Sequence, residues 1–354
     1  MQVVSSSLPM ITRIAKAVRR QAVRATLTAF DRLHVGPAVR GLLPANLVIL
    51  VYHRIDNPDA PEFTGFRQIV SATPEQFAQQ LDYLAQNFTV IGLDELEAWH
   101  SGKAELPPNA VMITFDDGYR DNLVHALPAL EARRLPALLF VTTDFVDGVL
   151  WPWWDWTAEA FKASSAQRGK LPLLGERSWH DSTDRNDVIC EWIDAAKSLQ
   201  YTAFQQALSD LAQRLEIDLQ QPPPSRLLLN WEEVAELTRR GFRIGNHTAT
   251  HPILVNTDRA HAGHEISAAS ARLEQVAGRP VTAFAYPSGR FTQREEMLAR
   301  EHGVTLGFAA EGGFSFAHEI AARPLAIRRC CIGLRDTRER FAAKAAGLTR
   351  LADR

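Results

Sequence analysis

The sequence predicts an α/β protein built on a parallel sheet or barrel, and two observations carry that prediction. Apolar runs of strand length alternate with stretches of helical period along most of the chain, the pattern that parallel strands joined by crossover helices require. The two densest groups of chemically active side chains, in VMITFDDGYR (111–120) and IGNHTATHP (244–252), each follow the end of an apolar run. Parallel α/β architectures gather their functional residues at those C-terminal strand ends. With 354 residues, 46% of them hydrophobic and 23% charged, the chain can bury one large α/β domain or two ordinary ones.

Taken in order, residues 1–45 carry seven Lys/Arg and one acid, Asp31. Arg13, Lys16, Arg20 and Arg24 recur at helical spacing while Ile11, Ile14 and Val18 fall on another face, so a basic amphipathic helix is expected here. It either lies on an anionic membrane surface as a peripheral contact or packs its apolar stripe on the domain. Arginines interrupt any apolar core and no small-residue cleavage site follows, so the segment does not read as a secretory signal. An organelle presequence is compatible with its composition. No apolar run approaches the roughly 20 residues of a membrane span. Three cysteines without a CxxC pattern suit a reducing compartment. The expected location is therefore cytoplasmic, with peripheral contact at the inner face of the membrane as an added option. The net charge of −2 gives no reason to expect a nucleic-acid partner.

The main domain is expected over 46–345. ANLVILVYHRI (45–55) reads as a buried strand with polar residues at its end, and TPEQFAQQLDYLAQNF (73–88) as an amphipathic helix with Pro74 near its start. VIGLDELEAW supplies a short strand and helix. A buried strand over 111–115 leads, after a turn at Gly118, into a helix from Tyr119 through ALPALEARRL, and PALLFVT (136–142) is the next strand. The alternation then breaks. GVLWPWWDW packs four of the eight tryptophans into six residues, and about 148–225 reads as a mainly helical insertion whose exit is marked by three prolines. It resumes with a helix at NWEEVAELTRRG, a strand at FRIGNH, a helix at HEISAASARLEQVAG and a strand at VTAFAYP.

Asp116 and Asp117 stand side by side where their charges repel. Adjacent residues on an extended chain face opposite ways, so the pair can divide two tasks; capping of the following helix is the alternative. His247 and His251 are four apart, and a helical turn there would stack both imidazoles within reach of one metal ion. Two independent surface histidines are the plainer alternative. Two His and one Asp leave positions open for water and substrate, the pattern of a catalytic rather than a structural site. A divalent cation so held would activate water and polarise a carbonyl, leaving the second aspartate as the base.

TFDDGY, HTATH and FAYPSG, in this order, resemble the first three motifs of the polysaccharide deacetylases, the NodB-homology family of carbohydrate esterases (family 4). The resemblance spans about residues 46–330. It implies a distorted (β/α) barrel of about seven strands and metal-dependent removal of acetyl groups from sugars. It assigns Asp116 as the catalytic base, and Asp117, His247 and His251 as ligands of a divalent metal, usually Zn2+. The backbone N–H of Ser288, after Pro287, is implied as an oxyanion donor, a plain turn being the alternative. Ala285 stands where many members carry an arginine that orients the base, with Arg54, Arg290 and Arg328 as possible replacements. The late Leu-x-x-His motif is missing. LVYHRI instead resembles the exopolysaccharide-biosynthesis subgroup with permuted strand order, which makes His53 the candidate acid, with a strand-end cap as its alternative.

The function expected is metal-dependent deacetylation of an N-acetylated saccharide, free, nucleotide-linked or lipid-linked. A hydrolase of non-sugar amides or imides, and a non-catalytic glycan-binding protein, are the alternatives. Trp151, Trp153, Trp154 and Trp156 are candidates for stacking on sugar or carrier, or for partial core packing. Asp155 is a candidate for orienting a catalytic group.

Overall fold

The computed structural model describes residues 35–218 and 225–348. The basic helix expected over 13–24 and the prolines at 222–224 lie outside the described residues. In chain order the strands are β1 (Asn46–Tyr52), β2 (Arg54–Ile55), β3 (Val70–Ala72), β4 (Thr89–Ile91), β5 (Ala110–Phe115), β6 (Ala137–Val141), β7 (Arg168–Leu171), β8 (Gly175–Ser178), β9 (Phe242–Asn246), β10 (Ala283–Ala285), β11 (Leu306–Phe308), β12 (Ser315–Phe316) and β13 (Cys330–Cys331).

Six strands run parallel in the spatial order β11, β10, β9, β6, β5, β1. One edge of β5 is shared: β4 pairs with Ala110–Met112 and β6 with Thr114–Phe115. Beyond β1, β12 pairs antiparallel with its start and β13 parallel with its middle. Ile327 bridges to Phe308 in β11 while Cys330 pairs with Leu50 in β1. The segment 327–331 thus joins the two ends of the sheet as a seventh stave. The result is the distorted (β/α) barrel expected from the resemblance.

Strands β1, β5 and β6 are buried at every position, which is why they read as continuous apolar runs rather than alternating ones. Alternation survives in which layer each residue enters. Val48, Leu50, Val111, Ile113 and Leu139 pack with Phe77, Leu81, Leu130 and Val234 of the surrounding helices, whereas Ile49, Ala110, Met112, Leu138 and Phe140 form a separate cluster. Thr114 and Asp116 continue the second series. Gly245 in β9 is required by close approach, because a Cβ there would lie 2.6 Å from the Phe140 ring.

The helices start where local chemistry dictates. Pro74–Asn87 opens with a reciprocal cap between Thr73 and Gln76, and Trp231–Arg239 with one between Asn230 and Glu233. The helix expected from Tyr119 is shorter and begins otherwise. Asn122–Ala126 is a wide π turn, continuous with an α-helix over Leu127–Glu131. Pro128 has no N–H to donate to residue 124, so regular α-bonding cannot run through this turn.

At the base of the barrel, the helix Val35–Leu42 is tied down by buried Arg40, which donates to Asn46 Oδ1 (2.9 Å) and to the carbonyl of Ala110 (2.8 Å), at the starts of β1 and β5. After β6 the chain leaves the barrel to form helices Trp153–Ala163, Ser182–Ala196 and Tyr201–Leu215, plus the antiparallel hairpin β7–β8. Their apolar faces make a core of their own around Phe161, Trp179, Trp192 and Leu211. The hairpin was not legible in the sequence: its register pairs Arg168 with Ser178 and Lys170 with Glu176, with no apolar alternation to announce it. Among the described residues no helix is long and apolar enough to cross a membrane.

Candidate active site

The parallel register carries the candidate site residues to one end of the barrel. Tyr52 pairs with Phe115, so His53 and Asp116 leave neighbouring strands together. Val141 pairs with Asn246, and the next residue, His247, donates its backbone N–H to the Val141 carbonyl at 3.0 Å. Ser288 follows the end of β10 in the turn Pro287–Gly289.

The structure brings Asp116, Asp117, His247 and His251 together and buries them all. Nε2 of His247 lies 3.5 Å from Asp117 Oδ1 and 3.9 Å from Asp116 Oδ2, and Nε2 of His251 lies 3.4 Å from Asp117 Oδ1. The two carboxylates do not face opposite ways as an extended chain would have them. Asp117 takes φ +74° and Gly118 φ +94°, and this left-handed turn directs both side chains toward His247. Nor do the histidines share a helical turn. Residues 247–253 form a loop in which Thr248 (φ +70°) and His251 (φ +61°) are left-handed, and the loop sets the rings 4.8 Å apart. Asp117, Thr248, His251 and Ser288 (φ +56°) are four of the eight non-glycine residues with positive φ among the described residues. Backbone strain concentrated in this way is characteristic of functional sites.

The surroundings hold that loop in place. Asn246 Oδ1 accepts the Thr248 N–H at 2.7 Å, and Thr248 Oγ1 accepts the His251 N–H at 3.0 Å. Buried Glu265 accepts the N–H groups of Ala249 (3.0 Å) and Thr250 (2.8 Å) and the Thr250 hydroxyl (2.7 Å). His247 Nδ1 is bonded to the Ala285 carbonyl at 2.8 Å, which leaves Nε2 free to act as a ligand.

Arg329 was missed by sequence reasoning, and it is the arginine that contacts Asp116. Its two terminal nitrogens donate to the two oxygens of Asp116 at 2.7 and 2.8 Å. The three arginines considered from sequence are engaged elsewhere. Arg54 pairs with Asp121 and Asp56, Arg290 donates to the Lys197 carbonyl, and Arg328 lies near Glu311 and Glu319. Two consecutive arginines lead into β13, and residue alternation sends only one of them inward; this was the available signal, but it could not say which.

Electrostatics separate the two aspartates. Burial alone would raise Asp116, but Arg329 and His247 outweigh it and hold the carboxyl down at about 2. Asp117 has no such partner, and burial, reinforced by the Asp116 charge, pushes it well above the usual carboxylate range. Both Asp117 oxygens are buried with no hydrogen-bond partner among the described residues. An orphaned carboxylate facing two imidazole nitrogens is costly as it stands and is satisfied by a cation. Asp117, His247 and His251 therefore fit a metal ion; each offers a ligand atom, and these atoms lie within 4.8 Å of one another. His53 is half-buried, its backbone N–H donating to Ser71 Oγ at 2.9 Å. Burial, partly opposed by the Asp116 charge, lowers its imidazole to about 4.

Of the tryptophans, Trp154 and Trp156 are buried, while Trp151 and Trp153 are half-buried against the insertion's core. Asp155 touches none of the cluster. It accepts the Tyr119 hydroxyl and the Phe66 N–H, each at 2.6 Å.

Comparison with known proteins bears on the family and the fold. The family profile described as polysaccharide deacetylase matches residues 103–167 and 188–307, passing over the β7–β8 hairpin. Poly-beta-1,6-N-acetyl-D-glucosamine N-deacetylase of Escherichia coli K12 is 31% identical over 102 residues, covering 28% of this chain and 14% of that protein. The matched region is thus a small part of that relative. The Streptococcus pyogenes deacetylase PplD, solved in complex with acetate, superposes with a TM-score of 0.56 at 18% identity, covering 86% of this chain and 99% of that one. IcaB from Ammonifex degensii gives 0.50 at 20% identity, covering 86% and 97%. At these identities the two structures speak for the fold.

Proposed function

The chain belongs to the polysaccharide deacetylase family, and from that premise we propose that it hydrolyses an N-acetyl group of a glycan or glycan precursor to acetate and an amino sugar. The observation that carries this reading is the pair of unlike carboxylates: Arg329 keeps Asp116 ionised, while beside it Asp117 is orphaned against two imidazoles. The saccharide substrate class draws support from the partial match to an N-acetylglucosamine polymer deacetylase, and extends to exopolysaccharide precursors carried on a nucleotide or lipid. A cytoplasmic location, with peripheral membrane contact through residues 1–45, belongs to the same proposal.

Asp117, His247 and His251 would hold the divalent cation, and two imidazole nitrogens with one carboxylate oxygen suit Zn2+. Bound there, the cation supplies a Lewis acid toward the acetyl carbonyl and makes water more acidic. Asp116, ionised down to about pH 2, takes the proton from the attacking water. The Ser288 N–H, carried on its left-handed turn, donates to the developing oxyanion. His53 delivers a proton to the departing nitrogen. Because burial lowers it to about 4, it is neutral at pH 7 and must first gain that proton. The one Asp116 has removed from water is available within the same cycle.

The test is acetate release from N-acetylated saccharides, free, nucleotide-linked and lipid-linked, by zinc-loaded wild type beside Asp116→Asn. The expected outcome is release by wild type and a loss of roughly 100-fold or more in the variant. Zinc uptake at one ion per chain with no acetate from any member of the panel would transfer the reading to a non-sugar amide hydrolase or a glycan-binding protein.

A further inference from the structure

The two histidines of the cluster are steadied by different means. His247 has its Nδ1 bonded to the Ala285 carbonyl. Among the described residues, Nδ1 of His251 is buried with no hydrogen-bond partner, so no hydrogen bond from them fixes the rotation of the ring on that side. Metal-binding histidines ordinarily have such a bond. The His251 ring is instead confined by aromatic neighbours: Phe145 stacks on it with centroids 6.2 Å apart, and Trp154 meets it edge-on at 4.8 Å.

Trp154 comes from the first helix of the insertion, and its own position is pinned. Its Nε1–H donates to the Tyr119 hydroxyl at 2.7 Å, and Tyr119 in turn donates to Asp155 Oδ2 at 2.6 Å. The other oxygen of Asp155 accepts the Phe66 N–H at 2.6 Å. Trp154, Tyr119 and Asp155 are all buried, so each link exists in a medium where losing it leaves an unpaired polar group. The chain of contacts runs from the loop before β3, through the insertion helix and the loop after β5, to the ring of His251.

We infer that Trp154, locked by the Tyr119–Asp155 hydrogen bonds, is the positioning residue for His251, so that the insertion sets the orientation of one ligand of the metal centre while the barrel sets the other two. The inference rests on the metal-centre reading above.

The test is Co2+ titration of the full chain, followed by the visible absorption of the bound ion and by competition with a chromophoric chelator. Wild type should bind one ion per chain and Asp117→Asn none, which checks the metal centre separately. Trp154→Phe should bind Co2+ roughly tenfold or more weakly with an altered visible spectrum, and Tyr119→Phe should change both in the same direction. The double variant should be no weaker than Trp154→Phe alone, because Tyr119 acts through Trp154. Near-UV circular dichroism of the metal-free variants checks that they are folded. If Trp154→Phe fails to fold, Tyr119→Phe decides the matter by itself. Wild-type affinity and spectrum in the folded variants, or additive losses in the double variant, would overturn the positioning role. Absence of Co2+ uptake by wild type would remove the metal centre and the inference with it.

Discussion

Asp116 keeps its charge in a buried position because the two-pronged contact from Arg329 outweighs the cost of burial. Arg329→Ala leaves that carboxylate without its cation, and removing one partner of a buried pair costs about 3–5 kcal/mol. The sign follows from the folded-state value of about 2, which lies below the unfolded one. The contribution is present in full above the unfolded carboxylate range and is lost as the pH falls through about 2. Urea unfolding should therefore separate wild type from Arg329→Ala most at neutral pH, with the gap closing in acid. The acid limb of kcat/KM should also move up by roughly 1 pH unit or more. Arg329→Lys should fall between the two, since it restores a charge but not the fork.

At the scale of elements, the loop over residues 247–251 depends on the helix Arg259–Ala277 through Glu265. Two backbone N–H groups and one hydroxyl converge on this single carboxylate. Glu265→Ala removes both accepting oxygens, so the two backbone N–H groups and the Thr250 hydroxyl all lose their partner. The expected result is a zinc affinity lower by roughly 10- to 100-fold with unchanged helix content, read by chelator competition and far-UV circular dichroism. The same loop shows how a pattern can be right in its outcome and wrong in its premise. A four-residue spacing suggested a helical turn; a strained loop brings the rings together instead.

Across the whole molecule, the cluster draws Asp117 from the end of β5 and both histidines from the end of β9, so a bound ion links parts of the barrel far apart in sequence. Ligand binding to the folded state alone stabilises it by about 4 kcal/mol at a thousandfold excess over Kd. Zinc-loaded wild type should melt several degrees above its chelator-treated form. Asp117→Asn should abolish that increment while melting, metal-free, at or above metal-free wild type. It removes a buried carboxylate whose pKa burial has raised, and whose ionisation therefore weakens the fold at neutral pH. Calorimetry of the four samples checks both statements.

The sequence by itself determined the barrel class and the convergence of Asp116, Asp117, His247 and His251 beyond the ends of the parallel strands. Parallel strands buried on both faces must be apolar throughout, and reactive side chains at their ends stand out against such runs. Tertiary structure alone decided which groups touch these residues. Arg329 reaches Asp116 across 213 positions of chain and Trp154 reaches His251 from the insertion. Glu265 holds the histidine loop from a helix face on which its spacing gave no sign. Local propensity and periodicity reflect neighbours along the chain, whereas pairings of this kind depend on how the barrel closes and where the insertion packs against it.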